Sequence, residues 1–291
     1  MNLPVPIFGV HLPDGLIQGP WIVAGWLVTI LLIIVTSRKL KDEEIPRISF
    51  LTAVFFLTSM IPVQVPSGPK THLLLNGLIG IILGPRAALS IAPALFLQSL
   101  LFAHGGFLSL GLNITVMSIP AILVQPFASL IQAPLSSNKP WVRFSACTLA
   151  LVFCLTATAL GILLLYKQFN FENKYEIVNQ ILALLVSPSY ILGSIIISGT
   201  FSLFLLKSTL GRMFSLGFLV GLMGVLFTVF LHALVMIIGG VPNLGPIILI
   251  TCLIHLPLAI VEGLAVGFMV NFLAKVKPEL LFPIGYIPKN N

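Results

Sequence analysis

The residues of this sequence best suited to chemistry are its five histidines, His11, His72, His104, His232 and His255. A neutral imidazole is a ligand for Ni, Co, Cu and Zn. His11, His72 and His104 each stand at or just before the end of an apolar run, on what the charge pattern makes the outer face, and Asp14 lies close behind His11. Converging there, they could capture a transition metal; equally, each could cap a helix or sit at the level of lipid headgroups. No HxH or HExxH spacing decides between these readings.

A second group lies inside apolar runs. His232 and His255 fall in the last two, and Glu262 follows His255 by two helical turns on the same face. Ionisable groups placed in a membrane are costly, so the three serve as a proton relay, an ion path or a buried interhelical pair. The stretch 66–117 is likewise apolar yet carries His72, Asn76, Arg86, Gln98, His104 and Asn113. That pattern suits a buried site better than a plain anchor.

The elements that must position these residues follow from composition. The chain of 291 residues is 58% hydrophobic and 8% charged, with a mean hydropathy of +1.11. A soluble domain carries about a quarter charged residues, so the sequence specifies an all-α, polytopic transmembrane helical bundle forming a single membrane domain, 1–291. A span needs about 20 mostly apolar residues. Candidates fall at 20–36, 48–65, 72–84, 87–103, 110–133, 144–166, 188–207, 213–238 and 246–273, giving about 7–9 passes. Gly84-Pro85 separates the short third run from the fourth and predicts a helix–turn–helix there.

Cation placement predicts an N-out, C-in orientation. Inner loops then hold Arg38, Lys39, Lys41, Arg47, Arg86, Lys139, Arg143, Lys207, Arg212, Lys275, Lys277 and Lys289, whereas outer loops keep Lys70, Lys167 and Lys174. Reading 72–103 as one span would put Lys139, Arg143, Lys207 and Arg212 outside. The net charge of +7 is therefore a topology signal and not a nucleic-acid footprint. The N-terminal MNLPVPIFGVHLPDG does not read as a signal peptide, lacking a basic n-region and broken by Pro4 and Pro6.

Several chemistries find no support. Cys147, Cys154 and Cys252 sit in apolar runs without CxxC spacing and read as core. GPKT at 68–71 lacks the remainder of GxxxxGK[ST], so no ATP site is evident. Asn113-Ile-Thr115 matches a glycosylation acceptor inside an apolar run, where it has no meaning. Without GxSxG or paired carboxylates on one helix, an intramembrane enzyme is the weakest reading.

Five ordered motifs carry a family resemblance: His11-Leu-Pro-Asp-Gly15, GPKTH ending at His72, GxxxGxxLGP ending at Pro85, QSLLFAHGG from Gln98 to Gly106, and GLNITVM from Gly111 to Met117. With His255 through Glu262-Gly263 and AKVKPELL near the C-terminus, the chain resembles the substrate-binding membrane subunit of nickel/cobalt energy-coupling-factor transporters, the CbiM/NikM family. The likeness is carried by 10–135, the metal-capture core, and by 250–281, within a C-terminal helix and tail at 246–281. It leaves 1–9 as an N-terminal extension, 166–187 as an outer loop, and 188–240 as added helices without a clear counterpart.

The resemblance implies a subunit that binds Ni(II) or Co(II) as transported substrate at the outer face of the bacterial cytoplasmic membrane, with no organic cofactor. It implies partners too: a transmembrane coupling subunit, two cytoplasmic ATPases and a small accessory membrane subunit. Gly25, Gly193 and Gly221 would permit close helix contact with a partner. The family's ligands map onto His11 and His72, with an amine that would belong to Val10. Since nine residues precede Val10, translation starts there, the chain is trimmed after Gly9, or His104 or Asp14 replaces the amine. Asn76 is expected to hydrogen-bond His72, with Asn113 and Gln98 also supporting ligands. The rival reading is an ion-coupled secondary metal transporter using His232, His255 and Glu262. Nickel and cobalt are not separated, since nitrogen ligands suit both.

Overall fold

The apolar runs form nine α-helices in a computed structural model that describes residues 9–63, 71–169, 187–207, 211–241 and 244–284. These are α1 (Gly19–Ser37), α2 (Ile45–Ser59), α3 (Asn76–Leu83), α4 (Ala87–Phe102), α5 (Leu110–Leu135), α6 (Pro140–Phe169), α7 (Pro188–Lys207), α8 (Gly211–Gly239) and α9 (Gly245–Val276). Among the described residues the only β-type pairings are the isolated bridges Ile17–Gly240 and Val63–Thr71. Among the described residues seven segments are long and apolar enough to cross a membrane, 76–102 counting as one. The protein is an all-α polytopic bundle.

Segment 76–102 does not run straight. The His72 ring, before α3, lies 5.2 Å from the His104 ring, after α4, so the chain returns to the end from which it set out. Gly84-Pro85-Arg86 makes the reversal as one 3-10 turn. Gly84 has φ +52°, and a Cβ there would overlap the Gln125 side chain, so glycine is required. Arg86 then fastens the turn to the end of α1, donating to the carbonyls of Thr36, Arg38 (2.8 Å) and Lys39 (3.0 Å) and pairing with Glu44.

The two ends of the bundle differ in chemistry. At one, Gln18 N–H donates to Gly239 O and Val241 N–H to Leu16 O, joining the start of α1 to the end of α8 beside the histidines. At the other lie Arg86, the α1–α2 connection with its cations, and Arg212, which donates to Ser136 O at the end of α5. Cations thus gather opposite the histidines.

Two helix boundaries depart from the hydropathy reading. The second run ends at Ser59 and not near 65, and the third begins at Asn76 and not at 72. Residues 72–75 are apolar enough for a helix but are non-helical, with Leu75 at φ +52° where the chain turns into α3. Hydropathy records burial, and these residues are held by hydrogen bonds from another helix. Residues 1–8, Lys70, Lys174, Lys289 and most of the expected outer loop (170–186) lie outside the described residues.

Glycines set the closest approaches. A Cβ on Gly77 would lie 2.7 Å from the Gly221 Cα and Val220 O, and one on Gly221 would lie 2.9 Å from Glu262 O. Gly25 is packed in the same way on Leu112. Two glycines expected to meet a partner are therefore used within the chain, because α3, α8 and α9 approach to backbone contact; only Gly193 of the three faces open space. The helices read as additions are structural as well, since α8 packs on α3, α5 and α9. Gly77→Val should destabilise the bundle by at least the roughly 1–3 kcal/mol of overpacking, whereas Gly193→Val should leave the thermal midpoint in detergent unchanged.

Candidate metal centre

Three loops that are distant in sequence deliver three imidazoles to one place. The ligand nitrogens of His11, His72 and His104 all lie within 4.8 Å of one another. His11 Nε2 is 2.8 Å from His72 Nε2, and the His11 and His104 rings meet edge to face at 4.5 Å between centroids. His11 and His72 are buried, at 1% and 2% exposure. His72 Nδ1 lies 2.9 Å from the Leu73 carbonyl; a carbonyl only accepts, so the proton sits on Nδ1 and the Nε2 lone pair faces His11.

Backbone geometry aims each ring. Gly9, at φ +52°, precedes Val10 and His11, both buried. Ala103 closes α4 in the left-handed region at φ +50°, which turns the chain sharply at His104. Asn113 grips the residue after His11 at two points, accepting Leu12 N–H (2.8 Å) and donating to Leu12 O (3.0 Å). Ser109 Oγ and Gly106 N–H donate to the same carbonyl, at 2.6 and 2.9 Å. Leu12, an extended residue in a buried setting, therefore has no unsatisfied backbone group.

Asp14 is fully engaged elsewhere. Its oxygens accept the amides of Phe107 (3.0 Å), Leu108 (3.2 Å) and Ser109 (2.9 Å) and the Ser109 hydroxyl, so it fixes the turn that leads into α5. Asn76 does not reach His72: it donates to Thr228 Oγ1 at 2.7 Å and faces Met117 Sδ, because the start of α3 turns its side chain towards α8. Gln98 donates to Ser59 Oγ and so joins α4 to α2. Of the three expected supporting amides, Asn113 supports a ligand-bearing segment directly.

Residues 11–208 and 190–280 match the family described as the cobalt uptake substrate-specific transmembrane region, CbiM. This chain belongs to that family. A Haemophilus influenzae protein named for metal transport is 37% identical over 114 residues, 39% of this chain and 55% of the relative. The cobalt transport protein CbiM of Carboxydothermus hydrogenoformans is 28% identical over 145 residues, 47% of this chain and 59% of the relative. The fused nickel transport protein NikMN of Rhodobacter capsulatus is 28% identical over 120 residues, 40% of this chain and 35% of the relative. The chain thus spans about half or less of these relatives' lengths. The two matched segments together take in 188–240.

The intramembrane groups of this CbiM-family chain are not bonded to one another. His255 accepts from the Thr71 hydroxyl through Nε2 (3.1 Å) and donates from Nδ1 to Thr251 O (2.7 Å). Glu262, fully buried, accepts the Leu74 amide at 2.7 Å. His232 is buried on α8, with no hydrogen-bond partner for Nδ1 among the described residues. All five histidines nevertheless share one region, since His72, His104, His232 and His255 each disfavour a proton on His11. Thr71, Ser109 and Gly106 are the contributors that sequence reading missed. Of these, only Ser109 carried a signal, as a cap-type residue just before α5.

Burial keeps the ligand set neutral. It holds His11 well below the usual histidine value, helped by the neighbouring His104 and His72, and lowers His72 to about 4. His104 is lowered to about 4 by burial and by His72. In an unfolded chain these groups take up protons from about 6.5 downwards, before the folded protein does. The metal-free protein should therefore lose stability as pH falls below about 6.5, the part due to His72 and His104 being complete near 4. Thermal unfolding in detergent from about pH 7 to about pH 4.5 measures this, and His72→Asn should flatten part of the slope.

Proposed function

We propose that this chain is the substrate-binding membrane component of an energy-coupling-factor importer for Ni(II) or Co(II) in the bacterial cytoplasmic membrane. The observation that carries this reading is the group His11, His72 and His104, three neutral imidazoles within 4.8 Å at one end of a polytopic bundle. Membership of the cobalt uptake family supplies the transport context. Imidazole suits Ni, Co, Cu and Zn, and neutrality matters because a protonated ring cannot bind a cation. The metal is the substrate, taken up from the histidine end and released towards the cationic end. A transmembrane coupling subunit and two ATPases would supply the work of reorientation, with a small accessory membrane subunit assisting.

The third ligand is assigned to His104. Asp14, the other substitute, has its oxygens committed to the amides of the turn before α5. A three-imidazole set does not depend on where the chain begins, whereas an amine from Val10 does. If residue 10 is terminal in the mature protein, its amine and the His11 amide would complete a nitrogen plane suited to Ni(II).

Titration of the purified full chain in nanodiscs with Ni(II) and Co(II) tests the assignment. His11→Ala and His72→Ala should each abolish tight binding, and wild-type affinity in both would overturn the site. His104→Ala should weaken binding strongly; if it does not, and the intact mass begins at residue 10, the amine is the third ligand. Asp14→Ala should leave affinity unchanged while costing about 1–2 kcal/mol of stability as lost hydrogen bonds.

A further inference from the structure

The metal-capture reading leaves His255 and Glu262 without a role, yet both make short contacts with the segment that carries His72. The Thr71 hydroxyl meets His255 Nε2 at 3.1 Å, and the Leu74 amide meets Glu262 at 2.7 Å. One contact falls just before the ligand and one just after it. From His255 to Glu262 the helix rises about 10.5 Å at about 1.5 Å per residue. From Thr71 to Leu74 an extended chain covers about 10 Å at about 3.3 Å per residue. The two spacings match, so α9 holds a non-helical segment in parallel register at two points.

The geometry points to Glu262 as a positioning residue for the metal ligand His72, acting with His255 as a two-point clamp on residues 71–74. This inference rests on the metal-capture reading. Leu75, directly after the clamp, has φ +52°, a conformation that non-glycine residues rarely adopt. Glu262 holds the chain at this point from another helix, accepting the amide of Leu74, the residue just before Leu75, at 2.7 Å. Release the carboxylate, and the chain is free to wind Leu73 to Leu75 into α3. His72 would then rotate away from His11 and His104. Glu262 touches no metal; it fixes the direction in which His72 presents its Nε2. The clamp also ties His72 to α9, so tilting that helix moves the ligand.

The test uses Co(II) as probe, with the full chain in nanodiscs. It reads affinity, the visible absorption spectrum of bound Co(II), and the metal-free thermal midpoint for Glu262→Ala, Glu262→Gln and His72→Ala. Glu262→Ala should weaken Co(II) binding about 10–100-fold, as loss of a ligand-orienting partner does, and shift the spectrum of the bound Co(II) away from that of the wild type. Glu262→Gln keeps one oxygen for the Leu74 amide and should recover most of the affinity. A lowered midpoint with wild-type affinity and spectrum in Glu262→Ala would reduce the glutamate to a structural cap and overturn the proposal. If Glu262→Ala does not fold, Thr71→Val removes the other clamp point at constant size; unchanged affinity and spectrum there would overturn it equally. Unchanged binding in His72→Ala would instead remove the metal-capture reading, and the positioning role with it.

Discussion

The constraint on which the whole structure depends is that backbone amides and carbonyls inside a membrane bundle must find partners without water, each unsatisfied one costing several kcal/mol. Helices meet it internally. The segments that carry His11 and His72 cannot, because they are not helical. Polar side chains from the surrounding helices serve their backbone instead. Asn113, Ser109 and Gly106 complete Leu12, and Glu262 completes Leu74. Asp14 applies the same solution to the amides of the turn before α5.

This explains why so few polar residues are committed to so many contacts. A buried carboxyl oxygen that accepts a backbone amide satisfies that donor without water, and it can do so from the body of another helix. Glu262 does this for Leu74, and Asp14 serves the turn before α5. The arrangement requires close helices. Gly77, Gly221, Gly263 and Gly217 remove the side chains that would hold α3, α8 and α9 apart, bringing Glu262 within reach of Leu74.

The electrostatics follow from the same burial. Low dielectric and mutual proximity disfavour protons on His11, His72 and His104, which leaves lone pairs for a cation that carries its own charge into the site. A divalent metal would be shared by several of these nitrogens at once, whereas a proton occupies one ring and repels a second proton on its neighbours. Cations on the opposite end are held by carbonyls, as Arg86 is by the end of α1, so the two ends remain chemically distinct.

By itself the sequence determined that this is an all-α membrane bundle, where it turns back at Gly84-Pro85, and which histidines share one end, because hydropathy, proline chemistry and charge segregation are local or additive along the chain. It also picked out Asn113 and Glu262 as too polar for their surroundings. What it could not determine was whom those residues serve. Asn76 was expected at His72 and bonds Thr228, Asp14 was a candidate ligand and fixes the turn before α5, and His255 and Glu262 were read as a relay or a pair, yet each holds a different residue of the segment bearing His72. A polar side chain's partner is fixed by which backbone groups are left unpaired within about 3 Å, and that distance exists only once the helices have packed.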